Sequence, residues 1–547
     1  MRKNILSMSI AAMIGGLAAT GASAAVLNTA AVGSTLSQTD TGTGHILVVP
    51  YFTTNSNNAT LINITNTDTA NGKAVKVRFR GASNSDDIFD FQVYLSPGDV
   101  WAANVHKRAD GLSELYTSDK TCTLPASVNA PFDTSRLPSA MTAAQKAAET
   151  NEGYIEILNM ADVPKALQNG QFSATPSTTN NPLYDATKHV AGVPPCTSSV
   201  MGLLATDPGS ITSAAAPGAA GVEVPAAAST LGLAAPTGQL MVNWAIVNTV
   251  ATTSFSGQAY ALTAIGTASA SAPVAGNIVF SPQLSAAVSA ATISAGTADP
   301  LFQTTNANIT VSDYATAPVG STLPYLTARQ YDLPDLSTPY VAANATPQAQ
   351  AANITAKFAT KAVINEYLTT PGLSANTDWT FTSATRRYLV AYNYNAVTSP
   401  AITDGRVFAN AASGNIYFTN ANTVVQTSPN GMKQICVSDS TLTPKSYDRE
   451  EVTSGSSFVI SPGTVTNAQF CGEASVLSVN AGGSTAVSVL GGSLARQDMT
   501  LPANEGWLRI ATASVTTNGL PIIGNAFIKA IGNGQNYGIT WGHRFSR

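Results

Sequence analysis

The chain has 547 residues, a formal net charge of −4 and only 11% charged residues, against about 25% in ordinary soluble proteins. Nucleic-acid binding needs clustered cations to neutralise phosphates. No Lys or Arg occurs between Lys188 and Arg329, so no nucleic-acid partner is expected. Ala, Thr, Ser, Gly and Asn take the place of charge, which suits extracellular β-proteins and self-assembling surfaces better than a freely diffusing cytoplasmic enzyme.

Residues 1–24 combine Arg2 and Lys3, an apolar run over residues 5–19, and the A-x-A site Ala22-Ser23-Ala24. That pattern is a secretory signal peptide, and the run is too short to be a permanent membrane span. The mature protein is expected to begin near Ala25 and to work outside the cytoplasm, at the cell surface or beyond. No later stretch offers about 20 consecutive apolar residues, so no transmembrane helix is expected.

From residue 45 to 105 the pattern is β. Ile46, Leu47, Val48 and Val49 form a short apolar strand that Pro50 is expected to end. A second strand holds Leu61, Ile62 and Ile64. Val75, Val77 and Phe79 then alternate with Lys76, Arg78 and Arg80, which predicts one buried and one wet face. Phe89, Phe91, Val93 and Leu95 alternate in the same way up to the turn Ser96-Pro97-Gly98-Asp99, and residues 100–105 return as another strand. Strands at this spacing point to an antiparallel sandwich or barrel.

Residues 205–300 are rich in Ala, Ser, Thr, Gly and Pro, in part low-complexity. Within them, residues 238–250 (GQLMVNWAIVNTV) form a credible strand. A helix is expected after the N-cap Thr346 and Pro347, with Ile354, Phe358 and Tyr367 on one face and Pro371-Gly372 beyond its end. Residues 243–266 and 506–532 echo each other, Trp244 matching Trp507, and predict a repeated β-hairpin.

Four cysteines, Cys122, Cys196, Cys436 and Cys471, favour disulfides in an exported protein. Proximity suggests Cys122–Cys196 and Cys436–Cys471 among the three pairings that four cysteines allow. His45, His106, His189 and His543 have no zinc-pair spacing and read as exposed or hydrogen-bonded residues. Gly491-Gly492-Ser493-Leu494-Ala495 comes nearest to a nucleophile elbow but lacks its strand–turn–helix frame. Asp86, Asp87 and Asp90, preceded by Ser83-Asn84-Ser85, are a candidate calcium cluster of hard oxygens. The plainer reading sets Asp90 against Lys76, Arg78 or Arg80 across the sheet. Trp101, Trp244, Trp379, Trp507 and Trp541 are candidates for a carbohydrate platform, with core packing the commoner fate of such residues. Residues 537–545 (YGITWGHRF) alternate in the manner of the last strand of an outer-membrane barrel.

Four segments resemble a betaproteobacterial family of exported cell-surface, surface-layer-like proteins. They are GHILVVPYFTTNSNNATLINITNTD, KAVKVRFRGASNSDDIFDFQVYLSPGDVW, the SYDREE stretch from Ser446, and the ending GLPIIGNAF…NYG…HR. The resemblance implies location and class, and brings no catalytic residue with it.

The expectation is therefore a mainly β protein with two antiparallel β-sandwich-like regions and a few short helices. Residues 25–275 would form an N-terminal β domain with an Ala/Ser/Thr-rich insertion, 276–325 a linker or low-complexity segment, and 326–547 a C-terminal β domain. The expected role is that of a secreted, S-layer-like structural protein associating with itself as an oligomer or lattice, with cell-envelope glycan as a further candidate partner. The alternatives are a carbohydrate- or matrix-binding adhesin and an outer-membrane β-barrel. No enzymatic activity, and no cofactor other than candidate calcium, is expected.

Overall fold

Alternating apolar and polar residues build two facing sheets from the first half of the chain. The description, of a computed structural model, covers residues 33–547 apart from 40, 136, 139, 169–175, 206–230, 268–272, 281–282, 284–333, 342–346, 393–403, 410–414, 439–441, 443, 452–458, 462–467, 482–486 and 513–517. The signal-peptide segment and Thr346 lie outside the described residues.

The first sheet has seven strands in the order Thr35–Gln38, Tyr260–Ile265, Ile46–Thr53, Glu152–Val163, Gly72–Gly81, Asp87–Leu95 and Cys122–Leu124. The second runs Ala130–Pro131, Ser113–Tyr116, Val100–Lys107, Asn58–Asn66, Leu240–Asn248 and Thr253–Gln258, with Thr43–Gly44 also beside Leu240–Asn248. Val75, Val77 and Phe79 of the first sheet meet Ile62, Ile64, Trp101 and Trp244 of the second in one core. The turn at residues 96–99 forms as read: Asp99 N donates to Ser96 O at 3.1 Å, and Gly98 takes the φ of +72° that a side chain would resist.

Two local expectations are corrected. Pro50 does not end its strand, which runs on to Thr53. The neighbouring strand shifts register between Gly153 and Ile155, opposite the proline, so the missing N–H falls at a ladder irregularity. The face carrying Lys76, Arg78 and Arg80 is not wet: all three side chains are buried. A second layer covers that face of the first sheet. It contains the helices Pro182–Thr187, Ser198–Leu204 and Pro347–Phe358, together with segments 277–280 and 334–341. Ile278, Val279 and Phe280, at the start of the segment read as a linker, are core residues there. Leu336 and Tyr340, counted with the C-terminal domain, pack on the N-terminal sheet.

The helix Pro347–Phe358 stops short of Tyr367, which belongs instead to the strand Ala362–Leu368. Val363 and Ile364, β-branched, prefer the pleated backbone. This strand opens a second sandwich. Its four-stranded sheet runs Pro444–Tyr447, Glu505–Ala511, Ala362–Leu368 and Arg544–Ser546. Its six-stranded sheet runs Val459–Ser461, Arg496–Leu501, Ala474–Ala481, Asn376–Thr382, Asn525–Gly532 and Gln535–Gly542. Trp379, Leu477, Met499, Leu508 and Ile510 fill the space between them. The predicted hairpin exists only in the first echo, where Leu240–Asn248 pairs with Thr253–Gln258. In the second, Glu505–Ala511 and Asn525–Gly532 belong to different sheets.

The fold is mainly β, with antiparallel sheets and few helices, as read from the sequence. The two sandwiches share apolar contacts. Phe527 packs on Trp244 and Phe255, and Val476, Leu490 and Leu494 enter the first core. Among the described residues each large sheet ends in two terminal strands that do not pair with each other, and residues 537–545 split between two sheets at the buried His543. Among the described residues no helix is long and apolar enough to cross a membrane.

Candidate functional site

The candidate calcium residues are drawn into the sheet. In register, Asp90 faces Arg78 and Asp87 faces Arg80 on the neighbouring strand. The Asp90 carboxylate takes the Lys76 ammonium, and Asp87 pairs with Arg78. Asp86 is buried beside them, and its carbonyl accepts from Gly81 N at 2.9 Å. Among the described residues no group of three His, Cys, Asp or Glu side chains is arranged to hold a metal ion.

The buried cations extend into a network that joins the halves. Arg80 lies 3.4 Å from Glu156 on the central strand. Arg387, in the 3-10 turn Arg386–Tyr388 of the second half, reaches Glu156 at 3.3 Å and Asp335 at 3.0 Å. Tyr388 donates to Asp335 at 2.9 Å, and Arg386 pairs with Glu473 at 3.0 Å. Burial alone would raise Asp335, but the guanidinium groups of Arg387 and Arg80 hold it below the usual carboxylate range. The sequence reading did not include Arg386, Arg387, Asp335 or Glu473. The one signal was the Arg386-Arg387 pair set in an otherwise uncharged run. All of these side chains are buried.

Both suggested disulfides are present. Cys122–Cys196 ties the edge strand of the first sheet to the segment before the helix Ser198–Leu204, and Cys436–Cys471 joins directly opposed residues of two strands. His45 and His543 are buried and neutral. His45 Nε2 donates to Pro236 O at 2.9 Å, and its Nδ1 accepts from Ala264 N at 3.2 Å. His543 Nε2 donates to Thr380 O at 3.0 Å, and Asn365 Nδ2 donates to its Nδ1 at 2.9 Å. Burial lowers His45 to about 4 and His543 to about 3. His106 lies 3.9 Å from Glu114, and His189 lies 3.5 Å from Asp99. Ser493 is spoken for: its hydroxyl and its N–H both donate to Glu152 at 2.9 Å, and Leu494 N donates to the same oxygen at 2.7 Å.

The tryptophans divide. Trp101, Trp244 and Trp379 are core residues, while Trp507 and Trp541 are each 38% exposed. These two line one cleft of about 680 Å³ with Ile364, Glu366, Tyr367, Asp448, Arg449, Glu505 and Arg544. The four-stranded sheet positions Trp507, and Trp541 comes from the end strand Gln535–Gly542 of the six-stranded sheet. Register sets Tyr447, Trp507 and Glu366 in one row across three strands. The Tyr447 and Trp507 rings stack 4.1 Å apart at 8°. Arg449 pairs with Glu505 at the rim. The residues Tyr447, Glu366 and Arg544 were missed from sequence. Arg509, alternating with Leu508 and Ile510, was the sign that Trp507 stands on the outer face.

The outer face of the seven-stranded second sheet is a different kind of surface. Alternation turns Leu61, Asn63, Thr65, Val100, Ala102, Asn104, Tyr116, Asn243, Ala245, Ser254, Ser256 and Gln258 outward. Among the described outward residues of these strands, charge is confined to Glu114, next to His106 at one end. Leu61, Val100 and Tyr116 are 38%, 47% and 50% exposed.

No protein-family model matches the chain, and neither the curated proteins nor the solved structures give a match. The likeness to exported surface proteins therefore rests on the sequence segments alone.

Proposed function

We propose that the protein is an exported structural component of a bacterial cell surface that packs against copies of itself, in the manner of a surface layer. The observation that carries this reading is the nearly uncharged outer face of the seven-stranded sheet. Protein surfaces ordinarily hold about 25–35% charged residues. A face without ions can be brought against another face with little cost in ion desolvation. At about 4.8 Å per strand and about 3.3 Å per residue, the face covers roughly 600 Å². Two such faces together reach about 1,200 Å², the lower bound of stable interfaces. Leu61, Val100 and Tyr116 supply apolar and aromatic anchors on it. Two disulfides support an oxidising, extracytoplasmic setting.

The test is negative-stain electron microscopy and sedimentation of the purified mature protein, beside the double variant Leu61→Glu, Tyr116→Lys. Ordered arrays or concentration-dependent oligomers are expected for the parent and monomers for the variant. Dispersed monomers of the parent at every concentration, or assembly indifferent to the double variant, would overturn the reading.

A further inference from the structure

The cleft on the four-stranded sheet belongs to a different face from the proposed self-association surface. Tyr447 is stacked on Trp507 at 4.1 Å and 8°, so one face of the indole is covered and its orientation is fixed by the neighbouring ring. Trp541 lines the same cleft from the strand Gln535–Gly542, and both indoles are more than one-third exposed. Most of a free indole's surface gains by leaving water, yet these two rings are left facing an open volume of about 680 Å³. That volume lies within the range of about 300–1,000 Å³ typical of ligand sites.

The polar lining narrows the ligand. Glu366, Asp448 and Glu505 supply carboxylates, and Arg449 and Arg544 supply guanidinium groups. Arg449 is engaged with Glu505, and one Arg544 nitrogen donates to Gly542 O at 2.9 Å. An anionic ligand would meet the carboxylate majority, and a cationic one the two guanidinium groups. A purely apolar ligand would strip water from all five charged groups without replacing their hydrogen bonds. A hydroxyl both donates and accepts, so neighbouring hydroxyls on one ring satisfy carboxylate and guanidinium together. A pyranose joins such hydroxyls to a C–H face able to lie on an indole. We propose that this cleft binds a neutral pyranose unit of a glycan chain, held by Trp507 and Trp541 and oriented by Glu366 and Arg544.

The experiment titrates the purified mature protein with maltohexaose, cellohexaose and chitohexaose, read by tryptophan fluorescence and by calorimetry. At least one should bind saturably with a blue shift of the emission. Trp507→Ala and Trp541→Ala should each weaken it by about tenfold or more, the loss of one aromatic stacking contact. Trp507→Phe should keep most of the affinity. Glu366→Gln and Arg544→Ala, at exposed positions where folding is not at stake, should weaken binding while leaving the unfolding temperature in place. The double variant Leu61→Glu, Tyr116→Lys should bind as the parent does, which separates this site from self-association. Failure of all three oligosaccharides to bind, or unchanged affinity in both tryptophan-to-alanine variants, would overturn the proposal.

Discussion

Arg387 Nη2 stands 3.3 Å from Glu156 Oε1, joining a turn of the second sandwich to the central strand of the first sheet. The same nitrogen is 3.0 Å from Asp335, and the guanidinium lies over the Tyr388 ring at 4.3 Å. Arg387→Met would leave two buried carboxylates short of their counter-charge. Removing one partner of a buried pair costs about 3–5 kcal/mol, so guanidinium unfolding should show a loss of that order. Adding Glu156→Gln should recover part of it, giving a coupling energy above about 1 kcal/mol in a double-mutant cycle. Independent, additive losses would mean that the network is not a unit.

Stability should fall as the pH drops below 6.5. His45 and His543 take a proton near 6.5 when unfolded but only near 4 and 3 when buried. Unfolding therefore takes up protons below pH 6.5, and stability falls as the pH drops through that window. Glu149 works in the opposite direction. Burial raises it from 4.5 to about 8, with Asn430 and Ser83 donating to its carboxyl. Its folded form keeps a proton that the unfolded form gives up, so its contribution is lost as the pH rises from 4.5 through 8. Above pH 6.5 the histidines no longer contribute and Glu149 draws stability down, while Lys76, lowered by burial to about 8, raises it again as the pH climbs through 8. Each net proton contributes a slope of about 1.4 kcal/mol per pH unit. Glu149→Gln should flatten the alkaline side of the profile, which unfolding curves at pH 6.5 and pH 8 would check.

Non-reducing peptide mapping should return Cys122–Cys196 and Cys436–Cys471 and no other pair. The linked residues are 74 and 35 positions apart. Loop-closure entropy gives about 4 kcal/mol for each cross-link. Cys122→Ser together with Cys196→Ser should lower the unfolding midpoint accordingly. Midpoints equal with and without dithiothreitol would count against this.

Gly538 marks where the two sandwiches meet edge to edge. A Cβ there would lie 2.1 Å from Ser254 O, on the strand whose Ser256 N donates to Thr540 Oγ1 at 3.2 Å. Gly538→Val should push the edges apart and cost about 2 kcal/mol or more. Thermal unfolding of Gly538→Val beside Gly372→Ala, where nothing lies within 4 Å and the backbone is not left-handed, would separate contact from composition.

Strand alternation was legible wherever one face met the core and the other met water. Leu240–Asn248 and Val100–Lys107 appear close to their sequence bounds for that reason. It misled at Lys76, Arg78 and Arg80. Their covering layer comes from residues 277–280, 334–341 and 386–388, far along the chain, and nothing local announces it. The same limit applied to the cleft. Trp507 and Trp541 could be named as candidates, but Glu366 and Arg544 join them only through the order of four strands. The cysteine pairing was readable because each partner is a near neighbour in sequence. The end of the helix Pro347–Phe358 was misread because Tyr367 continues its spacing while Val363 and Ile364 already favour a strand.

Glu156 and Arg387 are separated by 231 residues, and Phe527 completes a core begun at Leu47. Contacts this distant in sequence close slowly. A chain delivered across a membrane from its N-terminus would expose the first sandwich well before the residues that finish it. The sheet face proposed to meet other copies is backed by Leu490 and Phe527, so its core is complete only when the last strands dock. If that face does join copies, maturation and the competence to assemble would arrive together, and a truncated or stalled chain would be excluded by its own incompleteness.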